Sequence, residues 1–185
     1  MRLTLITGLS LISAPTLAHT GTGLHLHGFE DGMLHPFTGA DHILAMVAVG
    51  LWAAYCGGRA LWALPLAFIA AMVFGGGLAK IGFILPALET LIAASVLAFG
   101  AVLALGLSVP VVLGATLCAA FAVVHGMAHG AEMPGDEAGF AYGLGLVVST
   151  ALLHGTGIAA GRFGGVALRL AGAAIALAGL VFLAA

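Results

Sequence analysis

Two short stretches carry side chains that could hold a metal ion: HPFTGADH at residues 35–42 and HGMAHGAE at residues 125–132. In the second, His125, His129 and Glu132 are spaced i, i+4, i+7, which on a helix confines them to roughly 60° of arc on one face. Two imidazoles one turn apart with a carboxylate on the next turn can chelate a divalent ion. The plain alternative is a helix end whose His and Glu bond to nearby carbonyls, and three such groups on one stripe favour the metal. In the first stretch, Pro36 and Gly39 disfavour regular helix ahead of Asp41. His35 is therefore expected on an irregular turn folded back over the start of a helix. Asp41 has a simple role as a helix cap, worth about 1 kcal/mol. Beside His42 it also suits a metal ligand, or a carboxylate that holds one.

The setting makes these groups expensive. The chain has 185 residues, 62% hydrophobic and 6% charged, with a mean hydropathy of +1.22. Soluble domains carry about 25% charged residues, so this composition indicates an all-α integral membrane protein. Its 29 glycines agree, because small residues let membrane helices approach closely. A net charge of −2, with the five basic residues dispersed, leaves no footprint for nucleic acid. Cys56 and Cys118 form no CxxC pair, and a disulfide between them is not expected.

Residues 1–18 have the layout of a cleavable signal peptide: Arg2, a short apolar core, Pro15, then small residues ending at Ala18. The remainder, 19–185, reads as a single six-helix transmembrane domain. A polar, Gly- and His-rich leader (19–34) precedes six apolar runs near 38–56, 60–79, 85–106, 109–131, 138–160 and 163–184. Each is long enough for a hydrocarbon core about 30 Å thick. With the mature N-terminus outside, Arg59, Arg162 and Arg169 fall on the cytoplasmic side. Glu30, Asp31, Glu132, Asp136 and Glu137, with Lys80, fall outside. That is the positive-inside pattern.

This topology places Asp41 and His42 (first span), His129 and Glu132 (fourth) and Glu89 (third) at similar depth near the outer surface. Ionisable groups at such depth are costly unless paired or liganded. His125 is expected one turn deeper, and His154, late in the fifth span, toward the cytoplasm. Cys118, Met46 and Met127 read as core filling. His19, His25 and His27 belong to the leader. Gly75–Gly77 and the pairs Gly126/Gly130 and Gly139/Gly143 read as close helix packing.

HPFTGADHILAMVAVGLWA resembles the HPxxGxDHxxAM signature of the HupE/UreJ family of bacterial nickel permeases, and HGMAHGAE resembles that family's HGxAHGxE motif. The resemblance covers the mature chain. It implies uptake of Ni²⁺ or Co²⁺ across the bacterial inner membrane for hydrogenase or urease maturation, with the ion as transported substrate and no prosthetic group. It implicates His35, Asp41, His42, His129 and Glu132, with Glu89 and Phe68 in the pathway; Phe68 rests on the resemblance alone.

The expected mechanism has the outer groups strip water from an incoming ion and His125 and His154 pass it inward. Every ligand must be deprotonated, so uptake should weaken as pH falls through the histidine range. No GxxxxGK[ST] phosphate loop is present, so nothing points to nucleotide coupling. The alternative is an intramembrane zinc hydrolase resembling alkaline ceramidases, in which a bound metal would activate water against a lipid amide. A metal-binding membrane protein that does not transport is a third possibility. The expected partners are a divalent ion and the lipid bilayer.

Overall fold

Apolar runs bounded by Gly and Pro form helices whose backbone bonds are satisfied internally, the form of chain that hydrocarbon tolerates best. The computed structural model describes residues 27–135 and 137–185. Within them lie α1 (His27–Leu34), a 3₁₀ turn (His35–Phe37), α2 (Ala40–Cys56), α3 (Ala60–Lys80), α4 (Leu88–Ala104), α5 (Val111–Glu132), α6 (Glu137–Gly161) and α7 (Gly165–Ala184). The expected signal peptide, His19 and His25 lie outside the described residues. The expected breaks at 56–59, 80–82, 107–110, 134–137 and 161–162 lie at the helix junctions, although Cys56, Lys80 and Gly161 still belong to the helices before them and Glu137 to the helix after. The third apolar run is shorter as a helix than its expected 85–106.

Four helices, α3, α5, α6 and α7, are long and apolar enough to cross a membrane. The pair formed by α1 with its turn and α2, bent by 82°, makes a fifth candidate. The 17-residue α4 is apolar but shorter. Large apolar side chains such as Phe74, Leu113, Phe140 and Leu170 face outward, whereas Ser95, His125, His129, Ser149, Thr150 and His154 are buried. The interior is still mainly apolar, but the outer surface is apolar too, as a lipid surround requires.

The helices pair as α3 with α5, α4 with α7, and α2 with α6. Close approach needs bare backbone at the crossings. A methyl group on Gly126 would overlap the Met72 carbonyl, and one on Gly130 would crowd Gly76, so this expected small-residue motif packs α5 on α3. Gly139 and Gly143 behave differently. They lie against Met133 and Pro134, because the segment just before α6 folds back over the first turns of that helix.

The structure also corrects the leader, which is helical from His27. Gly28 and Gly32 sit one turn apart on α1 and rest on the backbone of Ala138 and Tyr142 of α6, while Gly145 of α6 receives Phe29 and Met33. An eight-residue helix is marginal alone, and docking on α6 stabilises it.

At the opposite end of the bundle, Gly106 at φ 64° closes α4 with Leu107 N–H donating to the Val102 carbonyl and Gly106 N–H to that of Leu103. Three side chains then donate to carbonyls left over there: Arg169 Nε to Ala104 at 3.0 Å, Tyr55 Oη to Gly106 at 2.7 Å, and Trp52 Nε1 to Leu107 at 3.0 Å.

Candidate metal centre

The turn behaves as Pro36 and Gly39 imply. Thr38 donates from its hydroxyl and its backbone N–H to the His35 carbonyl at 2.7 and 3.0 Å, and the buried ring of Pro36 sets the bend. His35 is thereby laid over the start of α2. Asp41 is not the cap: Gly39 occupies that position in an extended conformation, with no side-chain bond. Instead Asp41 Oδ1 accepts from both the backbone N–H and Nδ1 of His42, each at 2.8 Å. A side chain on Gly39 would press on this pair, so the glycine leaves room for it. Because a carboxylate oxygen only accepts, the proton sits on His42 Nδ1 and Nε2 is left bare.

Three imidazoles meet at this point. His42 from α2 lies 4.6 Å from the ring of His129 and 5.0 Å from that of His125, centroid to centroid. One nitrogen from each of the three falls within 4.8 Å of the others. Ligands sharing an ion at bond lengths of about 2.0–2.1 Å sit closer, so small ring rotations would complete a bound geometry. His42 Nε2, His125 Nδ1 and both nitrogens of His129 are buried without a hydrogen-bond partner. Buried polar atoms are normally satisfied, and an ion held between these rings would satisfy them. His125 therefore belongs to the main cluster rather than to a separate deeper step.

Above the three rings is a lip. His35 Nε2 pairs with Glu132 Oε2 at 3.1 Å, with the Glu132 side chain 64% exposed, and the His35 ring contacts His129 at 4.9 Å and Tyr142 at 5.6 Å. Below them, the Phe68 ring stands between His125 at 5.6 Å and His154 at 5.1 Å. His154 is thus tied to the cluster through Phe68, with both nitrogens buried and unpartnered. One turn away on the same helix faces, Thr150 Oγ1 donates to Met72 Sδ at 3.7 Å. A cavity of about 300 Å³ between α3, α5 and α6 has His129 and Met72 in its wall.

His35, Asp41, His42, His125, His129 and Glu132 are brought together, and Phe68 and His154 continue the line inward. Glu89 is not. It is exposed in the first turn of α4, a helix placed chiefly by its packing on α7, and it stays at the rim. Two groups escaped the sequence reading: Ser95, 2.9 Å from His125 Nε2, and Tyr142, whose buried hydroxyl is unpartnered. A search for every polar side chain inside an apolar run, not only the ionisable ones, would have found both.

Asp41→Asn is expected to weaken divalent-cation binding by roughly 10- to 100-fold, since a neutral amide holds the His42 Nδ1 proton less firmly. Equilibrium dialysis of purified protein measures this, and an unchanged affinity would remove Asp41 from its supporting role.

The HupE / UreJ protein family matches residues 7–182 of the chain. The chain is also similar to Protein HupE of Rhizobium leguminosarum bv. viciae, with 42% identity over 182 residues that span 96% of this chain and 95% of that protein. No solved structure matches significantly.

Proposed function

Because the chain belongs to the HupE/UreJ family, we propose that it is a transporter that takes up nickel or cobalt ions into the cytoplasm without nucleotide hydrolysis, supplying hydrogenase or urease maturation. The observation that carries this reading is the cluster of His42, His125 and His129, whose bare nitrogens converge inside an apolar helical bundle. A bundle that buries imidazoles while turning its large apolar side chains outward is built to give a cation a path through lipid.

In this reading α2 to α7 are six spans, following a signal peptide at 1–18. The chain lies in the bacterial inner membrane with the His35–Glu132 lip toward the periplasm, and Arg59 and Arg162 at the cytoplasmic end. Glu132 and His35 meet the hydrated ion. The three imidazoles replace its water, and His154 receives it beyond Phe68. Imidazole donors suit several first-row divalent ions, so the preference for nickel or cobalt rests on the family.

Radiolabelled Ni²⁺ uptake is the test. Cells making the protein should accumulate label above cells without it, with Co²⁺ competing. A tightly held zinc with amidase turnover and no uptake would overturn the reading in favour of the hydrolase, for which neither comparison offers support. His154→Leu should leave Ni²⁺ binding by purified protein within about twofold, because the three-histidine cluster is intact. Uptake should nevertheless fall roughly tenfold or more, the scale on which loss of one supporting group acts at a metal site. Parallel loss of binding and uptake would place His154 in the outer cluster instead.

A further inference from the structure

We infer that Ser95 is a positioning residue for this site: it fixes His125 in the Nε2–H tautomer, so that His125 offers Nδ1 to a divalent cation while His42 offers Nε2. The inference rests on the transport reading for its purpose but not for its geometry.

Ser95 lies on α4, fully buried, and its hydroxyl has two neighbours. The Ile92 carbonyl is 2.6 Å away and His125 Nε2 is 2.9 Å away. A serine hydroxyl has one proton, and a carbonyl oxygen can only accept. At 2.6 Å the contact with Ile92 requires the Ser95 proton to lie between the two oxygens. The bond to the ring must then run the other way, with His125 Nε2–H donating into a lone pair of Ser95 Oγ. A neutral imidazole carries one N–H, so Nδ1 of His125 is bare. That atom is buried and has no hydrogen-bond partner.

His42 is held in the opposite sense. Asp41 takes its Nδ1 proton, and Nε2 is its bare, buried nitrogen. Two different partners on two different helices have thus oriented adjacent rings so that the lone pairs, not the protons, are left for a cation. Metal-bound histidines characteristically donate their other N–H to such a partner, which sets both tautomer and ring angle. His129 has no partner on either nitrogen, so its tautomer is free to follow the ion. Ser95 comes from α4, a helix that supplies no imidazole to the site, and it acts only through His125.

The test uses the full-length protein in lipid, with histidine labelled in ¹⁵N, first without metal and then with Co²⁺ alone as the probe. The His125 signals, assigned by their loss in His125→Gln, should show the proton on Nε2 in the metal-free wild type. Ser95→Ala should mix or reverse that tautomer, lower Co²⁺ affinity by about tenfold and alter the visible absorption of bound Co²⁺. Ser95→Thr, which keeps the hydroxyl, should restore the wild-type spectrum and most of the affinity. A proton on His125 Nδ1 in the wild type would overturn the inference. So would a Ser95→Ala protein with wild-type affinity and spectrum. Failure of the wild type to bind Co²⁺ would instead strike at the transport reading, because the tautomer measurement needs no metal.

Discussion

Replacing His129 by alanine is expected to reduce Ni²⁺ uptake by at least the roughly 10- to 100-fold that follows loss of a supporting group at a metal site. His129 links the outer pair to the cluster, with His35 4.9 Å to one side and His42 4.6 Å to the other. Its removal separates the exposed lip from the three-ring cluster and leaves two imidazoles where three converged. The fold should survive. Both nitrogens of His129 lie buried without a partner, a state that itself costs free energy, so losing them offsets part of the lost packing. Uptake normalised to the amount of protein in the membrane, with thermal unfolding in detergent as the control for folding, measures the effect. Uptake equal to wild type would contradict the site.

Gly32→Leu is the second variant with a large expected effect, and it touches no candidate ligand. Gly32 of α1 rests on the backbone of Tyr142, where even a methyl group would overlap the carbonyl. Overpacking of this kind costs about 1–3 kcal/mol, and here it can be relieved by lifting α1 from α6. His35 follows α1 directly, so the displacement carries it away from Glu132 and His129. The expected result is loss of most uptake, with thermal stability close to wild type because the α3–α5, α4–α7 and α2–α6 contacts are untouched. Gly32→Ala should fall between the two. If Gly32→Leu transports normally, the lip formed by His35 is dispensable.

Part of this site was legible in the residues because part of it is local. The stripe of His125, His129 and Glu132 needs only the period of one helix, and Pro36 with Gly39 announces the bend that carries His35. The shared depth of His42 and His129 follows from alternating spans. What depth cannot supply is direction around the helix axis. Glu89 is exposed in the first turn of α4 and is not among the converging groups, whereas His125 is. For Asp41 the residues leave a cap and a carboxylate that holds a ligand both open, because an Asp at a helix start can do either; the position of the His42 ring decides for the second. Ser95 was invisible, since one serine in an apolar run has meaning only once α4 is known to meet α5. Likewise α1 is a helix on account of α6, and nothing within eight residues reports a surface 110 residues away.

The carbonyls gathered by Trp52, Tyr55 and Arg169 bear on the match between the protein and the thickness of its membrane. At 1.5 Å per residue, α4 extends about 25 Å, short of a hydrocarbon layer of about 30 Å. The 25-residue α6 extends about 37 Å. A short span ordinarily thins the bilayer around it or draws solvent in to its frayed end. Here the carbonyls of Ala104, Gly106 and Leu107, at the end of α4 and just beyond it, are met by side chains of the protein, which holds the end of the short helix closed. A 17-residue helix can thereby stand beside a 25-residue one with its end bonded inside the protein.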